Sequence, residues 1–118
     1  MNKYHAKKTI VDGFKFDSKK ESDRYAFLKL MEKSGKISDL ELQPEFLLQE
    51  RFVFNGKYIR EIRYVADFAY TYNGKRIIED VKGMKTDVYI MKKKMLQFNY
   101  RDINFYEILN ANDIGGLI

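Results

Sequence analysis

Residues 64–83 read YVADFAYTYNGKRIIEDVKG, and the reading of this stretch decides the fold. Asn73-Gly74 suits a two-residue hairpin turn, because both central residues of such a turn need positive φ. With Tyr72 and Lys75 flanking the turn, counting backwards pairs Asp67 with Asp80. The two-residue period of a strand then puts Lys82 on the face of Asp80, diagonal to Asp67. Two carboxylates and a lysine meet where a sheet would otherwise bury apolar side chains. Facing carboxylates destabilise a sheet unless a cation stands between them, so the pattern points to a metal-dependent phosphodiesterase site.

Upstream, residues 40–54 and 58–72 flank a second Asn-Gly pair, Asn55-Gly56. With residues 75–82 they predict a three-stranded antiparallel meander. Pro44 sits badly in a sheet interior and delays the start of the first strand. Ser18 or Asp17 caps a first helix running to about residue 33, ended by Ser34-Gly35. Glu21, Tyr25 and Leu28 share one side of it, with Phe27, Leu30 and Met31 as an adjacent apolar stripe. A second helix starts at Thr86 or Asp87 and runs to about residue 100, with Val88, Met91, Met95 and Phe98 as its buried stripe. Residues 103–109 form a last strand. The order helix, three strands, helix, strand predicts an α/β fold: a central mixed sheet flanked by helices. One domain is expected over residues 1–118, with 1–17 as an N-terminal arm or short edge element that includes His5 and 110–118 as a tail with little to anchor it beyond Leu117 and Ile118.

Composition narrows the function classes. Of 118 residues 45% are hydrophobic, enough for a core, with nine Tyr and nine Phe. The absence of cysteine excludes disulfides and thiol chemistry, and one histidine cannot supply a Cys/His zinc cluster. No signal peptide and no bilayer-length apolar run is read, so a cytoplasmic protein without membrane partners is expected. A net charge of +5 leans weakly towards polyanions.

Hydrolysis of a phosphodiester needs an in-line water and neutralisation of charge on the phosphate. Carboxylates on adjoining strands can hold Mg²⁺ for this, and a neighbouring lysine can orient the nucleophile. Asp67 and Asp80 are the candidate ligands, Lys82 the candidate lysine, and Glu21 a third carboxylate beside its ordinary role in the helix first turn. Glu79 points to the opposite face, where a surface or dimer contact is expected; a bulge before it would bring it into the site instead. For phosphate-backbone contacts the candidates are Lys92, Lys93 and Lys94, extended by Lys19, Lys20, Lys85 and Arg101. Lys93 and Gln97 lie one turn apart.

Through SKKESDRY, LELQPEF, YVADFAY, EDVKG and the helix over 89–100, the chain resembles the PD-(D/E)XK nuclease superfamily from Asp17 to Leu109. Within that superfamily it resembles more closely the small phage-type proteins that have been compared with Holliday-junction resolvases. The resemblance implies the restriction-endonuclease-like fold, with Glu21 as the helix acid and Ala66-Asp67 in place of Pro-Asp. It makes Asp80-Val81-Lys82 the (D/E)XK motif and Gln97 the polar residue of the following helix. It implies Asp67 and Asp80 as Mg²⁺ ligands, with Mn²⁺ able to substitute, Glu21 completing the shell, and Lys82 positioning water. The expected activity is a homodimeric endonuclease on branched DNA that leaves 5′-phosphates, in phage recombination, replication or packaging alongside other phage proteins in a bacterial cell. Ala66 for proline and Asp80 for the commoner Glu depart from the pattern. A nick, flap or DNA-end nuclease and a non-catalytic DNA-binding or replisome protein are the alternatives.

Overall fold

A computed structural model describes residues 9–82, 85–115 and 117. It opens with a hairpin, β1 (Thr9–Val11) and β2 (Phe14–Phe16), turning at Asp12-Gly13, where both φ angles are positive. Helix α1 (Lys19–Lys33) follows, its first turn capped by Ser18, whose side chain accepts from the Glu21 N–H at 3.1 Å. Lys33 ends the helix and Gly35 takes the left-handed conformation after it, the usual device for stopping a helix.

Next comes one long hairpin, broken into steps. Its ascending side is β3 (Ser38–Leu42), β4 (Glu45–Gln49) and β5 (Phe52–Phe54); its descending side is β6 (Lys57–Ile59), β7 (Ile62–Val65) and β8 (Phe68–Tyr72). The two sides pair antiparallel as β5 with β6, β4 with β7 and β3 with β8. Strand β9 (Lys75–Val81) pairs antiparallel with β8, helix α2 (Asp87–Asn99) follows from the Thr86 cap, and β10 (Asn104–Ile108) returns parallel to β9. The central sheet is mixed, with strand order β10-β9-β8-β3. Helices flank it on both faces, as the α/β reading requires. Both Asn-Gly turns form as predicted, with Asn55 and Asn73 at positive φ. No helix among the described residues is long and apolar enough to cross a membrane.

The break expected from Pro44 is real and reaches both sides of the hairpin. Proline has no N–H to give the ladder, and Gln43 before it sits at φ 54°. Opposite, the Ala66 N–H bonds Pro44 O and the Gln43 N–H bonds Asp67 O, so the chain bends at Ala66-Asp67 before β8 begins.

Strand alternation sorts the core into two layers. Phe68, Tyr70 and Ile77 pack with Tyr25 and Leu28 of α1, with Phe16 and with Leu117. Ala69 and Ile78 pack with Leu48, Tyr64, Ala66 and with Leu96 of α2.

Two expectations are sharpened and two corrected. Of the N-terminal arm, residues 1–8, with His5, lie outside the described residues, but residues 9–16 form the β1–β2 hairpin and Phe16 is buried. Of the tail, residues 116 and 118 lie outside the described residues. Leu117 is buried as expected, and the Arg24 guanidinium adds an anchor by donating to Ala111 O and Asp113 O. Glu79 makes no surface contact; it is fully buried, gripped by Arg24 through Nε and Nη2 at 2.7 and 2.6 Å and bonded by the Tyr70 hydroxyl at 2.5 Å. A charge that deep persists only when paired. Finally, the α2 stripe is displaced by about one residue. Val88, Met91 and Phe98 are exposed, Leu96 is fully buried, and Tyr89 and Met95 are partly buried. The polar ends of Tyr89, Lys92 and Lys93 add to this packing by bonding Glu107 and Arg63 O.

Candidate functional site

The site forms where β8 begins and β9 ends. The Asp67 N–H bonds Glu79 O at 3.1 Å, beside the last ladder pair of β8 and β9, Phe68 with Glu79; the expected pairing of Asp67 with Asp80 is not among the ladder pairs of the described residues. The Val81 N–H donates to Asp67 Oδ2 at 2.7 Å, so the side chain of Asp67 occupies a ladder position and its direction is set by backbone. Asp80 faces the α2 layer. Its Oδ2 accepts from the Tyr64 hydroxyl and lies 3.4 Å from Lys82 Nζ. Lys82 Nζ in turn stands 4.1 Å above the Tyr89 ring, and the Lys82 carbonyl accepts from Lys20 at 3.3 Å.

Glu21 reaches this end of the sheet from the first turn of α1. It shares with Asp67 a pocket of about 350 Å³, walled by the β1–β2 hairpin and Leu42-Gln43. Burial, with Asp67, Asp17 and Asp80 nearby, pushes its carboxyl from 4.5 up to about 7, and Lys82 opposes the rise. Burial also raises Asp80 to about 6 against the pull of Lys82. Asp67 rises for the same reason, opposed by the Val81 N–H and Lys82. Burial thus raises all three carboxyls, and Glu21 rises further through the negative charges of Asp67 and Asp80.

A fourth carboxylate was not singled out in the sequence. Parallel pairing sets Glu107 of β10 beside Asp80. Burial would raise it, but the Tyr89 hydroxyl at 2.5 Å and Lys85 and Lys93 at 3.1 and 3.2 Å hold it down at about 2. Only knowledge that β10 runs parallel to β9 could have found it. Tyr64 and Tyr89 carried no sequence signal for the site.

The remaining predicted residues divide. Lys20, Lys85 and Lys93 ring the carboxylates. Lys92 bonds Arg63 O at 2.9 Å on the flank, and Lys19 pairs with Asp23 on the surface. Lys94 is exposed, Arg101 sits against Phe98, and Gln97 is exposed one turn beyond Lys93.

Among the described residues no three of His, Cys, Asp and Glu gather closely enough to hold a metal ion by themselves. The donor set still suits Mg²⁺, which keeps several waters and takes one or two carboxylates together with substrate phosphates. Asp67 and Asp80 form the contacts above through Oδ2, and the Asp67 backbone also hydrogen-bonds the Asp80 carboxylate.

Fold and site define an α/β protein whose mixed sheet carries a carboxylate–lysine cluster at one end. The chain belongs to the family described as protein of unknown function (DUF1064), whose model matches residues 1–114. No curated protein matches it.

Proposed function

We propose that this chain is a Mg²⁺-dependent DNA endonuclease of the PD-(D/E)XK kind, cutting branched DNA as a homodimer in phage recombination or replication. The observation that supports it is the convergence of Asp67, Asp80, Glu21 and Lys82 at one end of the sheet, with all three carboxyls raised. Asp67 and Asp80 would hold the ion, with Glu21 coupled through water; Mn²⁺ would serve in its place. The ion, when bound, polarises the phosphate and acidifies a water.

The chain's own residues do the rest. The Val81 N–H aims the Asp67 carboxylate, and the Tyr64 hydroxyl fixes Asp80. Lys82, held between Asp80 and the Tyr89 ring, places a positive charge where water and the phosphate oxygens meet. Lys20, Lys85 and Lys93 neutralise neighbouring phosphates. Lys85 and Lys93 reach them by leaving Glu107, whose charge would otherwise keep both on the protein.

The rival is a DNA-binding protein that keeps the fold without catalysis. It draws support from the same contacts, since Tyr64 and Lys82 already satisfy Asp80 without a metal, and no three-ligand group stands among the described residues. Incubating purified protein with labelled four-way, flap, nicked and linear DNA, with Mg²⁺ or EDTA, separates them. Metal-dependent paired nicks in the four-way junction are expected. Cutting of another substrate keeps the chemistry and changes the role, and binding without cleavage of any substrate supports the rival.

A further inference from the structure

The β5–β6 ribbon is the feature that the site leaves unexplained. No other helix or strand among the described residues packs substantially on it. Every residue from 51 to 60 is exposed, including Phe54 at 63% and Tyr58 at 78%. The radius of gyration of 15.9 Å exceeds the roughly 13–14 Å of a compact chain this long, as a projecting arm requires. An isolated two-stranded ribbon is marginal in water, so large apolar side chains on both its faces need an occupant.

Charge identifies the occupant. The run RFVFNGKYIR carries Arg51, Lys57 and Arg60 and no carboxylate. The ion pairs of this arm, Arg63 with Glu61 and Glu45, lie at its base. Register pairs Phe52 with Ile59, Val53 with Tyr58 and Phe54 with Lys57. One face therefore carries Phe52, Phe54, Ile59 and Lys57. The other carries Val53 and Tyr58, with the Arg51 guanidinium 5.9 Å from the Tyr58 ring centroid. Cations that form no ion pair among the described residues, set among exposed rings, suit phosphates and unstacked bases together, and a two-stranded ribbon fits the width of a DNA groove.

We infer that the β5–β6 ribbon is a DNA-contacting arm, in which Arg51, Lys57 and Arg60 engage phosphates while Tyr58 and Phe54 stack on bases exposed where a duplex is interrupted. From Asp67 to Tyr58 the chain covers at most about 30 Å when extended. The arm thus meets the DNA within about nine base pairs of the site, at about 3.4 Å each. The inference rests on the nuclease reading only for that distance from a cut; the binding itself stands apart from catalysis.

Fluorescence anisotropy in EDTA tests it, with a labelled four-way junction and a matched linear duplex as probes. The proteins are the wild type, Phe54→Ala/Tyr58→Ala and Arg51→Ala/Arg60→Ala. These side chains are exposed, and unchanged circular dichroism and sedimentation verify fold and oligomeric state. The ring variant is expected to bind the junction about tenfold or more weakly, with a smaller loss on the duplex. The arginine variant is expected to lose affinity on both probes and to flatten the log–log salt dependence by about two. Unchanged affinities, or no DNA binding by the wild type, overturn the inference. So does dissociation of a dimer by either variant, which assigns the ribbon to a second copy of the chain. Tight ribbon-dependent binding without cleavage in Mg²⁺ leaves the arm standing and defeats the nuclease reading alone.

Discussion

Glu21→Gln should stabilise the protein at pH 8 and do little at pH 5. Glu21 is 9% exposed and its carboxyl stands at about 7 rather than 4.5. A folded-state value above the unfolded one means that its contribution is fully present below about pH 4.5 and lost as pH rises through 7. The whole difference corresponds to about 3 kcal/mol, of which about 2–3 kcal/mol falls between pH 5 and pH 8. Glutamine keeps the shape, and the Ser18 cap acts on the backbone N–H, so the cap survives. Loss of a negative charge from the helix first turn costs no more than about 1 kcal/mol, too little to reverse the sign. Urea unfolding of both proteins at the two pH values reads the effect directly. The stability difference, variant minus wild type, is expected to grow by about 2 kcal/mol from pH 5 to pH 8. A difference that is flat with pH, or that falls, would refute the placement of Glu21 among buried carboxylates.

Arg24→Met should cost about 3–5 kcal/mol in the same unfolding assay, because it strands Glu79 without its counter-charge and frees the carbonyls of Ala111 and Asp113. Limited proteolysis should then open the C-terminal segment first. Leu96→Ala should cost about 2–5 kcal/mol, whereas Phe98→Ser should change monomer stability by less than about 0.5 kcal/mol; equal losses would restore the stripe read from the sequence. Mg²⁺ at pH 8 should raise the melting temperature of the wild type and leave that of Asp67→Asn unchanged, as differential scanning calorimetry would record.

Much of the site was legible because it depends on local rules. An Asn-Gly turn sets hairpin register, and that register runs from Tyr72 with Lys75 to Phe68 with Glu79, which brings Asp67 and Asp80 to the same end of the sheet, where Lys82 stands 3.4 Å from Asp80. The Ser18 and Thr86 caps and the break at Pro44 are equally local. What was missed depends on partners distant in sequence. Alternation correctly turned Glu79 away from Asp80, but only the docking of α1 reveals that Arg24 waits there, 55 positions earlier. Two apolar stripes on α2 differ by about 100° of rotation, and hydrophobicity alone favoured the one that faces outward. Glu107 enters the site through parallel pairing, which no turn announces.

Single-turnover cleavage of a labelled four-way junction in Mg²⁺, by wild type and Asp80→Asn at saturating protein, tests the central claim most directly. The account predicts paired nicks from the wild type and a rate lower by about two orders of magnitude or more in the variant, with junction binding retained. Equal rates, or no cleavage by a wild type that binds the junction, would contradict it.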